Sequence, residues 1–206
     1  MNLSKPNWAK AVSNVVSPPV VWGLMAIPIA ERDAPSTGEA LAWALAYIFF
    51  FSIVPILYVS LQVKRGIITD MHMPIREERI RPFLVSLMSG TLGLIVLNKL
   101  DVSGLMNLFV VTTLLQLALM GLITSFWQIS AHMISITGAT VIVAVIFGLL
   151  PAIIIAPLIP LVAFARLNLL RHTRAQVVAG VVVGAVCIGG FLWAVGMIEP
   201  DIWARR

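Results

Sequence analysis

The sequence predicts an all-α membrane protein, a polytopic bundle of six to seven transmembrane helices in a single domain that covers residues 1–206. Composition carries this prediction. Hydrophobic residues make up 60% of the 206 residues and charged residues only 11%, whereas a soluble domain carries roughly a quarter charged residues. The mean hydropathy of +1.00 agrees with long apolar segments, and a helix that crosses a bilayer needs about 20 such residues.

Seven apolar segments of about this length are separated by polar turns. The turn signals include "ERDAPSTGE" at 31–39 and "KLDVSG" at 99–104, together with Pro151 after Gly148. In the last segment, "GVVVGAVCIGG" at 180–190 has small residues at helical spacing, which predicts close packing against another helix. The predicted spans are 11–30, 40–62, 82–98, 103–126, 129–149, 152–170 and 174–197.

The charges predict the orientation of these spans. With a cytoplasmic N-terminus, ten basic residues fall on the cytoplasmic side and four on the other, whereas three acidic residues face the cytoplasm and six the opposite side. Loops rich in Lys and Arg stay inside, and seven spans then put the C-terminus outside. The four outer basic residues are Arg32, Lys99, Arg205 and Arg206; the ten inner ones are Lys5, Lys10, Lys64, Arg65, Arg76, Arg79, Arg81, Arg166, Arg171 and Arg174.

All three histidines of the chain fall on this cytoplasmic side, although as many as four predicted spans separate them. They lie in three polar segments, which are the places to search for chemistry in so apolar a chain, because ionisable residues at a membrane are costly and are often functional. The histidines are His72, His132 and His172.

The first polar segment is "KRGIITDMHMPIREERIRP" at 64–82, the longest charged stretch. Arg76 and Arg79 are three residues apart, so on a helical turn they would share a face. Arg81 precedes Pro82, which suits the first position of the next helix. A basic loop is also the ordinary composition of the cytoplasmic face, so a binding role and an anchoring role both stay open here.

The second polar segment is "FWQISAHMIS" at 126–135. Ser130 and His132 fall at the start of the fifth predicted span. Backbone N–H groups at the start of a helix favour anions, and the Ser130 hydroxyl adds a hydrogen-bond donor.

The third polar segment is "ARLNLLRHTRAQ" at 165–176. Arg166 and His172 are six residues apart, too far to share a helix face, so a turn has to bring them together. His172 and Gln176 are four apart, so the glutamine amide can lie beside the imidazole. The segment is either a phosphate site or a juxtamembrane anchor.

These three segments resemble the ordered signatures of the type-2 phosphatidic acid phosphatase superfamily. That family shows a Lys/Arg segment ending in Arg-Pro, then Pro-Ser-Gly-His, then Ser-Arg-x5-His-x3-Asp. The similar stretches here are "REERIRP" at 76–82, "ISAH" at 129–132 and "ARLNLLRHTRAQ" at 165–176. The resemblance covers a phosphatase-like core of about residues 60–190, and each single motif is weaker than the ordered triple.

The resemblance implies an integral-membrane phosphatase that hydrolyses a lipid phosphate or a prenyl diphosphate without a metal or other cofactor. His172 would be the nucleophile and form a phosphohistidine, while His132 would protonate the departing oxygen and then activate water. Gln176 would stand where the family has the aspartate that orients the nucleophile. The implied phosphate-binding residues are Arg166, Ser130, Arg76, Arg79 and Arg81.

The sequence departs from the family pattern in four places. The expected lysine falls at Pro74, Pro-Ser-Gly becomes 129–131 (Ile-Ser-Ala), and the serine before the arginine becomes Ala165. At Gln176 an amide replaces the carboxylate. Its oxygen can accept from the imidazole N–H and set the tautomer, but it cannot stabilise an imidazolium by charge. Reduced activity or an altered pH optimum is therefore expected.

The alternative function is that of a catalytically weakened or inactive member of the same fold, serving as a structural or accessory subunit of a membrane complex. A prenyltransferase or phosphotransferase would need acid-rich magnesium motifs, and the three acidic residues on the cytoplasmic side are too few. We predict an inner-membrane location, contacts with membrane lipids and no nucleic-acid partner. The sequence leaves open a homo-oligomer, and it does not distinguish among phosphatidate, phosphatidylglycerol phosphate and prenyl diphosphates.

Overall fold

The computed structural model describes residues 7–102 and 104–197, and within them the chain is helical without strands, which confirms the predicted all-α class. A π-helical turn, Phe49–Ile53, joins α3 to α4, and a 3-10 turn, Glu77–Arg79, precedes α5. The α-helices are α1 Asn7–Val15, α2 Pro18–Asp33, α3 Thr37–Ile48, α4 Val54–Lys64, α5 Ile80–Lys99, α6 Gly104–Phe126, α7 Ala131–Phe147, α8 Leu149–Ile155, α9 Leu158–Asn168 and α10 Arg174–Ala194.

Five helical segments of the described residues are long and apolar enough to cross a bilayer, or six if α1 and α2 count as one broken span. The predicted span 11–30 is thus two helices, and the predicted span 129–149 contains the 17-residue α7, shorter than a full crossing. Five residues used in the charge count lie outside the described residues, as does residue 103; the five are Lys5, Glu199, Asp201, Arg205 and Arg206. The five segments are Thr37–Lys64, Glu77–Lys99, Gly104–Phe126, Leu149–Asn168 and Arg174–Ala194.

The chain divides into two compact units. One consists of Met1–Pro18 and Ile129–Arg206, as far as these are described, and holds α1 and α7 to α10; the other, Pro19–Gln128, holds α3 to α6 and all but the first residue of α2. We call them the α7–α10 unit and the α3–α6 unit. The first described helix, α1, therefore belongs to the same unit as the last four.

The π-helical turn in the α3–α6 unit follows from a proline. Pro55 has no N–H group, so a helix that runs through it leaves a carbonyl without a backbone donor. The N–H of Val54 bonds to the carbonyl of Phe49, five residues back, and the Phe50 carbonyl would be next in that series. The Ser89 hydroxyl of α5 donates to the Phe50 carbonyl oxygen at 2.7 Å. A side chain from a neighbouring helix thus covers the freed group, as lipid surroundings require.

Small residues let α10 pack directly against α7 in the α7–α10 unit, as their spacing in the sequence predicts. A Cβ atom added at Gly180 would lie 2.7 Å from the Cβ of Met133 and 2.9 Å from the Ser130 carbonyl oxygen. One added at Gly184 would lie 2.6 Å from the Ile134 carbonyl oxygen. Neither contact can be relieved by turning a flexible side chain, so this helix pair depends on the two glycines.

We expect Gly184→Ala to destabilise the protein by about 1–3 kcal/mol, because the new methyl group overlaps backbone atoms of α7. Gly190→Ala is the matched control on the same helix, since a Cβ there would have nothing within 4 Å. The control should be neutral or slightly stabilising, because alanine favours helix. Thermal unfolding in detergent measures both, and equal midpoints for the two variants would contradict the proposed close packing.

Candidate functional site

The start of α7 forms the first part of the candidate site. Ser130 is the N-cap residue, as the sequence predicts, and its backbone N–H lies 3.4 Å from the carbonyl oxygen of Gln176 at the start of α10. The Ser130 side chain is fully buried, and its hydroxyl has no hydrogen-bond partner among the described residues. A buried hydroxyl at a helix N-terminus can donate to an anion bound there.

Ser13 of α1 connects two of the predicted site residues. Nη1 of Arg166 donates to the Ser13 hydroxyl oxygen at 3.0 Å, and Nε2 of His132 lies 2.9 Å from the Ser13 carbonyl oxygen. Because a carbonyl can only accept, Nε2 of His132 must carry the proton of this bond. The exposed fractions of Ser13, His132 and Arg166 are 0%, 6% and 1%, so all three residues are buried.

A tight turn brings the end of α9 to the start of α10. The N–H of Leu170 bonds to the carbonyl of Leu167, and the N–H of Arg171 bonds to the carbonyl of Arg166. This is the Schellman arrangement that satisfies the last carbonyls of a helix, and it usually has glycine at the left-handed position. Here that position is Leu170, with φ of 53°. The turn predicted between Arg166 and His172 is present.

Gln176 sets the proton position of His172. Oε1 of Gln176 accepts the backbone N–H of Thr173 at 3.0 Å, so this atom is an oxygen and cannot be the amide nitrogen. Nδ1 of His172 lies 3.2 Å from the same oxygen and must therefore be the donor. The neutral imidazole then has its lone pair on Nε2. The glutamine lies beside the imidazole, as its spacing predicts.

Gln176 and Ala165, two of the residues that depart from the family pattern, each make a defined structural contact. Gln176 completes a capping box with Thr173, whose hydroxyl accepts the Gln176 N–H, so its amide serves the start of α10 as well as the imidazole. Ala165 is fully buried in a cluster with Ala9 and Leu169, where α1 packs on α9. A small side chain suits that close contact.

The three arginines of the 64–82 segment belong to the other unit, the α3–α6 unit. Arg76 donates to the carbonyl oxygens of Ser125 and Phe126 at the end of α6, at 3.4 and 3.0 Å. Arg79 is 4% exposed, and its Nε donates to the Met73 carbonyl oxygen at 2.8 Å. Arg81 lines a cavity of about 280 Å³ together with Tyr58, Gln62, Ile67, Ile68, Glu77 and Glu78. These contacts show Arg76 and Arg79 binding backbone carbonyls of their own unit.

The α7–α10 unit thus contains five of the eight predicted site residues and one that sequence reasoning missed. The missed residue is Ser13, which the resemblance leaves outside its range. Its signal in the sequence is slight: Ala9 and Ser13 are small and one helical turn apart, a spacing that favours close helix contact. The five predicted residues are Ser130, His132, Arg166, His172 and Gln176.

Comparisons with protein-family models, with curated proteins and with solved structures find no match to this chain.

We expect Leu170→Gly to stabilise the protein by about 1 kcal/mol, because glycine adopts the left-handed conformation without the steric cost that leucine meets. Leu170 is 85% exposed, so little packing is lost. Leu161→Gly, inside α9, is the control and should destabilise the protein by at least this amount, because glycine weakens a helix and a partly covered side chain is lost. Chemical or thermal unfolding in detergent measures both signs, and a destabilised Leu170→Gly protein would contradict the strained turn.

Proposed function

We propose that the chain is an integral-membrane phosphatase that hydrolyses a lipid phosphate or a prenyl diphosphate through a phosphohistidine intermediate. The observation that supports it is the set of polar residues gathered in the α7–α10 unit. In that unit His172 has a defined tautomer. Ser130 and His132 are buried at the start of α7, and Arg166 is buried in the last turn of α9. Apolar helices of spanning length indicate that the protein lies in a membrane, where lipid-borne phosphates are found.

In the first step Nε2 of His172 attacks phosphorus. A P–N bond forms while the P–O bond to the leaving group breaks, and the electron pair goes to the departing oxygen. The bond from Nδ1 to Gln176 leaves the nucleophilic lone pair on Nε2, so no proton has to be removed before attack. In the second step water attacks the phosphohistidine, which releases phosphate and restores the imidazole.

Donors of the same unit would stabilise the charge on the phosphoryl oxygens. The guanidinium of Arg166 presents a planar set of donors that fits a phosphate better than an ammonium does. The Ser130 hydroxyl, at the start of α7, has no partner among the described residues and would donate to another phosphoryl oxygen. Contributions from Arg76, Arg79 and Arg81 stay predictions from the sequence.

His132 would protonate the leaving group and later activate water. Because its Nε2–H is bound to the Ser13 carbonyl, proton transfer to and from substrate has to use Nδ1.

The orientation that the charges predict puts this chemistry on the cytoplasmic face of the inner membrane.

The second candidate function is that of an inactive member of the fold that serves a membrane complex. The observation that favours it is that the polar residues also serve the structure: Ser13 binds both Arg166 and His132, and Gln176 caps α10. Activity measurements separate the two functions.

We expect the purified protein to release phosphate from at least one of three substrates, namely phosphatidate, phosphatidylglycerol phosphate or a prenyl diphosphate. His172→Ala should abolish that release, because His172 is the residue that forms the phosphohistidine in this mechanism. His72→Ala, in the loop of the α3–α6 unit, is the control and should keep the parent rate. A His172→Ala protein as active as the parent would rule out the proposed nucleophile, and a parent inactive on all three substrates would favour the accessory role.

We expect Gln176→Glu to raise kcat by about tenfold, because a carboxylate stabilises the charge that develops on the imidazole. Glutamate has the length of glutamine and is a usual partner in a capping box, so the start of α10 should be kept. Gln176→Asp carries the same charge on a shorter side chain, loses the cap and should be less stable and less active than Gln176→Glu. Steady-state kinetics and thermal unfolding test this, and a slower Gln176→Glu enzyme would refute it.

A further inference from the structure

We infer that Ser13 is a positioning residue of the phosphate site, because one residue of α1 holds both the Arg166 guanidinium and the His132 imidazole. The inference rests on the proposed function and extends it to a helix outside the phosphatase-like core of residues 60–190. Nothing in the three polar segments indicates a contribution from this part of the sequence.

Ser13 uses two different atoms for the two contacts. Its hydroxyl oxygen accepts from Nη1 of Arg166 at 3.0 Å, and its carbonyl oxygen accepts from Nε2 of His132 at 2.9 Å. Ser13 is separated by 153 residues from Arg166 and by 119 from His132, so only tertiary packing brings them together. Because both bonds end on one residue, the relative position of guanidinium and imidazole depends on α1.

These contacts restrict the two side chains in ways that matter for chemistry. A guanidinium binds phosphate through donors lying in one plane, and a bond to Nη1 limits the rotation of that plane. The bond to the carbonyl places the proton of the neutral imidazole on Nε2. Ser13 itself is fully buried and acts through Arg166 and His132 without a role of its own in the reaction.

The packing of α1 on α9 explains how Ser13 reaches this position. Ala9, Ala165 and Leu169 form a buried cluster, with Val12 packed against it. Ser13 follows Ala9 by four residues, so both lie on the face of α1 that is buried. The small side chains at 9 and 165 allow the helices to approach closely enough for a serine to reach Arg166.

The test uses the full-length protein in detergent and four variants. Ser13→Ala removes the hydroxyl and keeps the carbonyl, so it isolates the contact with Arg166, and Ser13→Thr restores a hydroxyl. Asn14→Ala, an exposed neighbour on the same helix, is the matched control. Ser13→Ala is also made in an Arg166→Ala background. Calorimetry measures the Kd of inorganic phosphate, and thermal unfolding shows that each variant is folded. All three substrates named above are offered to the parent in micelles, and kcat/KM is measured on the one it hydrolyses fastest.

We expect Ser13→Ala to weaken phosphate binding and to lower kcat/KM by about tenfold each, the usual effect of losing a hydrogen bond to a charged group. Ser13→Thr should recover most of this loss, and Asn14→Ala should match the parent. In the Arg166→Ala background Ser13→Ala should cause no further loss, because the hydroxyl acts only through the guanidinium. A merely structural serine would lower stability without this dependence on Arg166.

The outcomes separate the inference from the proposed function. Parent-like phosphate affinity and kcat/KM in Ser13→Ala, or an equal loss with and without Arg166, would overturn the role of Ser13 and leave the phosphatase proposal standing. A parent that binds inorganic phosphate in a Ser13-dependent way but hydrolyses no lipid would overturn the phosphatase and support Ser13 as part of a phosphate-binding site. A parent that binds no phosphate would overturn both.

Discussion

The burial of Arg166 at the end of an apolar helix is the constraint on which the rest of the α7–α10 unit depends. A guanidinium that is 1% exposed has lost most of its hydration, and such a group is tolerated only where polar partners replace water. The Ser13 hydroxyl is one such partner, and it reaches Arg166 because α1 packs on α9 through small residues. The same serine also binds His132. The packing of α1 on α9 therefore fixes the positions of both the Arg166 guanidinium and the His132 imidazole. A site for an anionic ligand and a buried structural network would both meet this requirement.

Buried backbone groups elsewhere in the chain also have polar partners in place of water. Where Pro55 interrupts the backbone hydrogen bonds of the helix, the Ser89 hydroxyl bonds to the Phe50 carbonyl. At the start of α10, Thr173 and Gln176 satisfy each other's N–H groups. At the end of α9, Leu170 adopts the left-handed conformation, and the carbonyls of Arg166 and Leu167 accept backbone N–H groups of the following turn. At two of these three breaks a polar side chain supplies the hydrogen bond, so a polar residue there has a structural role together with any chemistry.

Structural roles are also found for Gln176 and Ala165, two residues that depart from the phosphatase pattern. Gln176 carries no charge, yet its oxygen accepts from both Thr173 and His172 and so determines which imidazole nitrogen is protonated. Ala165 lacks a hydroxyl, yet its small side chain belongs to the contact that brings the hydroxyl of Ser13 to Arg166. Both residues thus belong to the contacts that orient His172 and Arg166 in this unit.

The sequence by itself determined the helical class, the approximate helices, the start of α7 at Ser130, the turn after Arg166 and the pairing of His172 with Gln176. Each of these follows from interactions between residues close in the chain, where periodicity, capping and turn chemistry act. Tertiary structure decided the break between α1 and α2, the shorter α7, the π-helical turn at Phe49–Ile53 and the position of Ser13. A buried hydrogen bond between residues 153 apart depends on which helices pack together, and hydrophobic patterning says which face of a helix is buried but not which helix covers it.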